Sequence, residues 1–164
     1  ALTVSVDLRP HAPENRIAIG NGRGLGDNDS VSVIDLKARP PRVVETISVD
    51  QTPEGIKLSP DGTLLGVIVM NGSNKPKESP FYNDSGKLLL YRLDGTRLLG
   101  LGAAWIGRWS QGVAFSPDNK VILVGNMVER NVQVLRWDDV SLKDLGERIN
   151  VNGGSAAIRT ADKP

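Results

Sequence analysis

The chain has 164 residues, with 20 Lys or Arg against 19 Asp or Glu, one His and no Cys. Neither sign of charge is clustered in a long run and aromatic residues are only 4%, so a nucleic-acid or membrane-surface partner is not indicated. Absence of cysteine excludes disulfides and thiolate metal sites, and no stretch reaches the roughly 20 apolar residues that would cross a bilayer.

Taken in chain order, the predicted elements are all strands, and they repeat. A strand at Val4 to Arg9 is followed by Ile17 to Asn21, Val31 to Leu36 and Arg42 to Val49. The second set is Gly55 to Leu58, Val67 to Asn71, Leu88 to Asp94 and Arg97 to Gly102. The third is Gly112 to Phe115, Val121 to Asn126, Val132 to Asp138 and Gly146 to Val151, with residues 139–145 expected to carry the connection before its last strand. Strand identity rests on period-two alternation, as in Val132-Gln133-Val134. Turns are marked by Ser59-Pro60-Asp61-Gly62, Ser116-Pro117-Asp118-Asn119 and Asp94-Gly95, where proline presets φ, aspartate bonds its own backbone and glycine tolerates positive φ. A further apolar segment, Ser155 to Arg159, reads as the inner strand of a fourth unit.

The asparagines ending the second strands stand at 21, 71 and 126, a period of 50 to 55 residues. About four strands per unit at this period predict a β-propeller of four-stranded antiparallel blades. The expected blades are residues 2–50, 51–103 and 108–151, with the extra inner strand at 155–159. Three blades do not close a ring, and open blade faces are apolar. The expectation is therefore either a homodimer that completes six blades or the missing blades of a longer parent. A start at Ala1 is read as a removed leader or an excision.

The Ser-Pro-Asp-Gly and Ser-Pro-Asp-Asn turns, followed by Gly-Asn and then Val31-Ser32-Val33-Ile34-Asp35-Leu36, resemble the YVTN-type and lactonase-like propeller repeats of bacterial proteins. The resemblance covers nearly the whole chain and implies a periplasmic or secreted location, with lactone hydrolysis as the activity to consider. Its motifs speak for the fold and poorly for function, since such turns recur in propellers of unrelated activity.

In this repeat the first-to-second and third-to-fourth turns lie on one face, and the longer loops lie on the other. Insertions on one face mark a binding face. Three loops and one further carboxylate are singled out. Residues 22–30 offer Arg23, Asp27 and Asp29 around alternating glycines, a set able to cradle phosphate or calcium or simply to form a solvated connection. Phe81 and Tyr82 interrupt an otherwise polar 72–85 loop, and either pack or meet a partner. Residues 105–112 carry Trp105, Arg108, Trp109 and Gln111, placed near the axis, as binding hot spot or inter-blade wedge. Glu54 joins Asp27 and Asp29 as a candidate acid or base, because His11, the single histidine, falls on the opposite face. Two readings stand: a propeller module binding a protein or small ligand, and a lactonase-like hydrolase of the sugar-lactone type completed by further blades.

Overall fold

The structure is a computed structural model that describes residues 15–20 and 29–160. Its eleven strands are β1 (Asn15–Gly20), β2 (Asp29–Asp35), β3 (Arg42–Val49), β4 (Pro53–Leu58), β5 (Leu64–Val69), β6 (Gly86–Asp94), β7 (Arg97–Ile106), β8 (Ser110–Phe115), β9 (Val121–Asn126), β10 (Asn131–Trp137) and β11 (Leu142–Asn150). They form a three-stranded sheet β1-β2-β3 and two four-stranded sheets, β4-β5-β6-β7 and β8-β9-β10-β11, with every neighbour antiparallel. Each sheet is a meander whose strands follow sequence order, the arrangement of propeller blades. The expected strand at Val4 to Arg9 lies outside the described residues, as do Arg23, Asp27 and His11.

Packing between blades explains the composition of the strands. β5, Leu64-Leu65-Gly66-Val67-Ile68-Val69, is buried along its whole length. Leu65, Val67 and Val69 join Val31, Val33 and Val49 of the first blade, while Leu64 and Ile68 join Val113, Phe115, Ile122 and Val124 of the third. A strand covered on both faces reads as a continuous apolar run. Gly66 gives room to Phe115, whose ring would lie 3.3 Å from an added Cβ. Nearer the axis the backbones come closer still: a Cβ on Gly55 of β4 would stand 2.1 Å from the Gln111 carbonyl oxygen of β8.

The Ser-Pro-Asp turns are closed by their own side chains. Asp61 Oδ1 accepts the Thr63 N–H at 3.0 Å, and Ser59 Oγ accepts the Leu64 N–H at 2.9 Å. In the next blade Asp118 and Ser116 accept from Lys120 at 3.0 Å and Val121 at 2.9 Å. Asn119 then donates to Asp61 at 2.8 Å, stitching the two turns together.

Three larger differences from expectation have a physical reason. β7 runs on to Ile106, because Gly100, Gly102 and the two alanines pair with β6 through a bulge and no turn residue intervenes. β11 starts at Leu142, because Asp138 accepts from the N–H of Val140 and Ser141 (3.1 and 2.7 Å) and completes the connection within a few residues. Residues 153–160 form no strand, since an inner strand needs a second strand beside it and none of the described strands is left to pair. They nevertheless lie against the third blade. A Cβ on Gly112 would meet Ile158 N at 2.4 Å, much as one on Gly55 would meet Gln111.

Candidate functional site at the loop-rich face

The corners that lead from an outer strand into the next inner strand, at residues 50–52 and 107–109, share one end of the sheets with the long loop after β5 and the short one after β9. Both corners turn through a left-handed residue that is not glycine: Thr52 at φ 59° and Trp109 at φ 51°. Such geometry is uncommon for branched or bulky side chains and persists only where the surroundings enforce it. A polar side chain from the preceding blade supplies that enforcement. Asp29 Oδ2 accepts the Thr52 N–H at 2.7 Å, and Ser73 Oγ accepts the Trp109 N–H at 3.0 Å. Asp29 and Ser73 are both buried.

The second corner is also held from its own blade. Asn126 Oδ1 accepts from Gly107 N–H at 3.0 Å and from Ser110 Oγ at 2.7 Å, while its amide donates to Asn131 at 2.9 Å and Gln133 at 3.2 Å. Gln133 in turn donates to Asp144 at 2.9 Å and to the Trp105 carbonyl at 3.0 Å. Arg148 closes the chain with two bonds to Asp144 at 2.7 and 2.9 Å and, as the largest influence, holds that carboxyl below its usual range. The asparagine that marks the sequence period is thus a buried clasp of the corner. Its partners Gln133, Asp144 and Arg148 carry no motif that would have singled them out.

On this scaffold Arg108 and Trp109 face outward. Glu129 accepts from Arg108 Nε and from Arg108 N–H, both at 3.0 Å. Tyr82 donates to Asp84 at 2.7 Å and also faces the Arg108 guanidinium. The bond to Asp84, above all, raises the Tyr82 hydroxyl above its ordinary range, and Glu129 does the same for Arg108. Trp109 is 41% exposed and Phe81 38%. With the Gln111 amide oriented to satisfy both neighbours, its oxygen accepts the Trp109 indole N–H at 3.2 Å and its nitrogen donates to the Ala156 carbonyl at 3.3 Å. Gln51 Nε2 reaches the Phe81 carbonyl at 3.3 Å, tying the long loop to the first corner.

The inner strands contribute Glu54 and Gln111. The register of β4 slips between Pro53 and Gly55, and that of β8 between Ser110 and Val113, so both residues sit in bulges at equivalent positions. Bulges re-aim side chains and recur beside functional sites. Glu54 is exposed, and its carboxylate has no hydrogen bond or ion pair among the described residues.

Sequence reasoning placed Trp105 with this group, and the structure separates it. Trp105 lies on outer strand β7 opposite Lys87, whose ammonium stands 5.0 Å from its ring centre and 2.6 Å from Asp50. It is 62% exposed but belongs to the rim, because the extension of β7 carries it away from the inner strands. Asp29, proposed as a metal ligand or base, has its carboxylate committed to the Thr52 corner. Among the described residues no group of three or more His, Asp or Glu could hold a metal ion.

No protein-family model matches the chain. It is 31% identical over 110 residues to Antigen Lp49 of Leptospira interrogans serogroup Icterohaemorrhagiae serovar copenhageni, covering 66% of this chain and 23% of that protein. Solved structures reproduce the fold at low identity. The "putative 6-phosphogluconolactonase" of Bacteroides fragilis superposes with a TM-score of 0.69 at 19% identity, over 91% of this chain and 39% of that one. The periplasmic gluconolactonase of Pseudomonas aeruginosa gives 0.66 at 19%, over 86% and 38%. The β-propeller domain of the Trilobed protease from Pyrococcus furiosus, which has an open velcro topology, gives 0.51 at 11%, over 84% and 40%. The chain therefore has the β-propeller fold and spans well under half the length of each of these proteins. Among the described residues no helix is long and apolar enough to cross a membrane.

Proposed function

We propose that the chain serves as a binding module of propeller fold, acting through the face built by the corner at 107–109 and the loops after β5 and β9. One observation carries this reading: Arg108 and Trp109, residue types that dominate binding hot spots, are presented on a corner clamped by Ser73 from one blade and Asn126 from the next. Rigid presentation of partly exposed aromatic groups lowers the ordering cost of association. Further blades, from a longer polypeptide or a second copy, complete the channel beside Glu54 and Gln111. The periplasmic gluconolactonase that shares the fold supports a location in the bacterial envelope.

Selection of a displayed peptide library on the immobilised chain tests this. Peptides that bind the chain and lose binding to Trp109→Ala or Arg108→Ala support the reading. Binders indifferent to both substitutions place the interaction elsewhere and overturn it.

A second reading follows from the two lactonase-like propellers that share the fold: hydrolysis of a sugar lactone, with Glu54 as the acid or base. Turnover of glucono-δ-lactone by the chain, abolished in Glu54→Gln, is the result it requires. Turnover that survives this substitution removes Glu54 from that role.

A further inference from the structure

We infer that Asn152 is a modification site, where the side-chain amide converts to aspartate and isoaspartate without an enzyme, and that the isoaspartate acts on Trp109 through Gln111. The inference is independent of what the loop-rich face binds. Asparagine followed by glycine occurs at residues 21, 71 and 152, and the first pair lies outside the described residues. The other two share a dipeptide and differ in every restraint upon it.

At Asn71 the side-chain amide donates to the Ser85 carbonyl at 3.2 Å, the backbone N–H donates to the Gln51 carbonyl at 3.1 Å, and the backbone carbonyl accepts from Asn83 at 2.8 Å. Gly72 is pressed on Phe81, whose carbonyl oxygen would stand 1.9 Å from an added Cβ. Asn152, by contrast, is exposed and its amide has no hydrogen bond among the described residues. A Cβ on Gly153 would meet nothing within 4 Å. The corner that follows β11 is itself bare. Thr52 and Trp109 turn the two preceding corners in left-handed conformations held by Asp29 and Ser73. No residue from 151 to 154 has a positive φ, and no side-chain bond holds them among the described residues.

The reaction needs only water. The Gly153 nitrogen, its proton taken by hydroxide, attacks Asn152 Cγ; the Cγ–Nδ2 bond breaks, ammonia leaves with a proton from water, and a cyclic imide closes. Glycine favours the attack because no side chain crowds its nitrogen. Water then opens the imide at either carbonyl, giving aspartate or isoaspartate. In isoaspartate the main chain runs through Cβ and Cγ and is longer by one carbon. One water is consumed and one ammonia released overall, with no change of oxidation state. Residues 153–160 lie too close to the third blade to absorb the added carbon in place. Cβ atoms built on Gly154, Gly125 and Gly112 would fall 2.6 Å from Met127 Cγ, 2.3 Å from Ser155 Oγ and 2.4 Å from Ile158 N. Between these contacts the Ala156 carbonyl accepts from Gln111 at 3.3 Å, and Gln111 holds the Trp109 indole N–H at 3.2 Å.

The test ages the intact chain at mildly alkaline pH and follows the exchange of ammonia for water by mass spectrometry of tryptic fragments, one carrying Asn152 and another Asn71. Asn152 should convert faster than Asn71 by about tenfold or more, the scale of the hydrogen bonds that must first open at Asn71. In concentrated urea, where only the shared dipeptide remains, the two rates should converge. Equal rates in the folded chain, faster conversion at Asn71, or a difference that persists in urea would each overturn the site. Gly153→Ala, whose added Cβ meets nothing, should keep the fold and slow Asn152 alone; unchanged conversion in that variant also counts against it. The isoaspartate form, which carries one further negative charge, is then isolated by ion exchange. Its Trp109 indole N–H resonance, assigned with Trp109→Phe, should move toward the position found in Gln111→Ala. Asn152→Asp supplies the charge without the added carbon and should leave that resonance in place. A resonance unmoved in the isoaspartate form, or moved equally in Asn152→Asp, overturns the coupling to Trp109.

Discussion

The corners at residues 51–55 and 108–112 have the same backbone and different side chains. In both, a left-handed residue is followed by a bulge and then by a glycine packed against a neighbouring backbone. The first corner carries Gln51, Thr52 and Glu54, and the second carries Arg108, Trp109 and Gln111. What recurs between blades is demanded by closing one blade on the next. What differs is free of that demand and so is where specificity resides.

Substitutions in the shared part should cost the most. Gly55→Ala places a Cβ 2.1 Å from the Gln111 carbonyl oxygen, a backbone atom with nowhere to go, and should cost about 3 kcal/mol or more in urea unfolding. Gly95→Ala makes the control. Its Cβ meets nothing, and only the φ of 59° is penalised, at about 1 kcal/mol. If both variants lose the same amount, the close approach of inner strands is not what fixes blade spacing.

Asn126→Ala comes next, at about 2 to 3 kcal/mol, because it strands the Gly107 N–H and removes the amide that bonds Asn131 and Gln133 inside a buried network, while the Ser110 hydroxyl keeps the Gly107 carbonyl. Below it stand the two corner clamps. Asp29→Ala removes a charge-assisted bond to Thr52 and should cost about 2 kcal/mol, whereas Ser73→Ala removes a neutral one to Trp109 and should cost about 1 kcal/mol. Reversal of that order would show that the second corner is the more strained of the pair.

These costs also mark what was legible in the sequence. The limits of β3 and β9 coincide with expectation at both ends, since Val49 precedes Asp50 and Asn126 ends an apolar run before a polar loop. The expected strand from Arg97 stopped at Gly102, whereas β7 runs on to Ile106, because Gly100 and Gly102 are tolerated as sheet positions beside a bulge. That misreading moved Trp105 from the rim to the axis. The face was expected from loop length, and in the structure the corner carrying Arg108 and Trp109 is tied to the long loop after β5 through Ser73. The clasp formed by Asn126, Gln133 and Asp144 was not visible, because its members lie on three different strands and meet only after the sheet has formed.

A smaller effect separates the opposite face. Burial pushes the Asp61 carboxyl up, but bonds from Ser59, Thr63 and Asn119 outweigh it and bring its pKa from 3.8 down to about 2. A carboxyl lowered on folding stabilises the protein above its unfolded value and loses that contribution as pH falls from about 3.8 toward 2. Because the side chain is exposed, the contribution is less than about 1 kcal/mol. Asp61→Asn should flatten that acid limb without touching any property of the loop-rich face, as read from urea midpoints at pH 5 and pH 3.

At the second corner the effect on stability and the effect on binding can be separated. Trp109 sits at φ 51°, a conformation glycine adopts without strain, so Trp109→Gly relieves about 1 kcal/mol and gives back a similar amount in the entropy of the unfolded chain. The covered part of the indole and its bond to Gln111 are lost as well, so net stability should fall by about 1 to 2 kcal/mol if the ring is held chiefly for contact with a partner. A loss of about 4 kcal/mol or more would instead identify the ring as a wedge between blades. Thr52→Gly at the first corner provides the internal reference, since it carries the same backbone change without an indole. A difference of no more than about 2 kcal/mol between the two variants in unfolding, with peptide binding lost only in Trp109→Gly, would assign the backbone of the corner to the fold and its side chain to recognition.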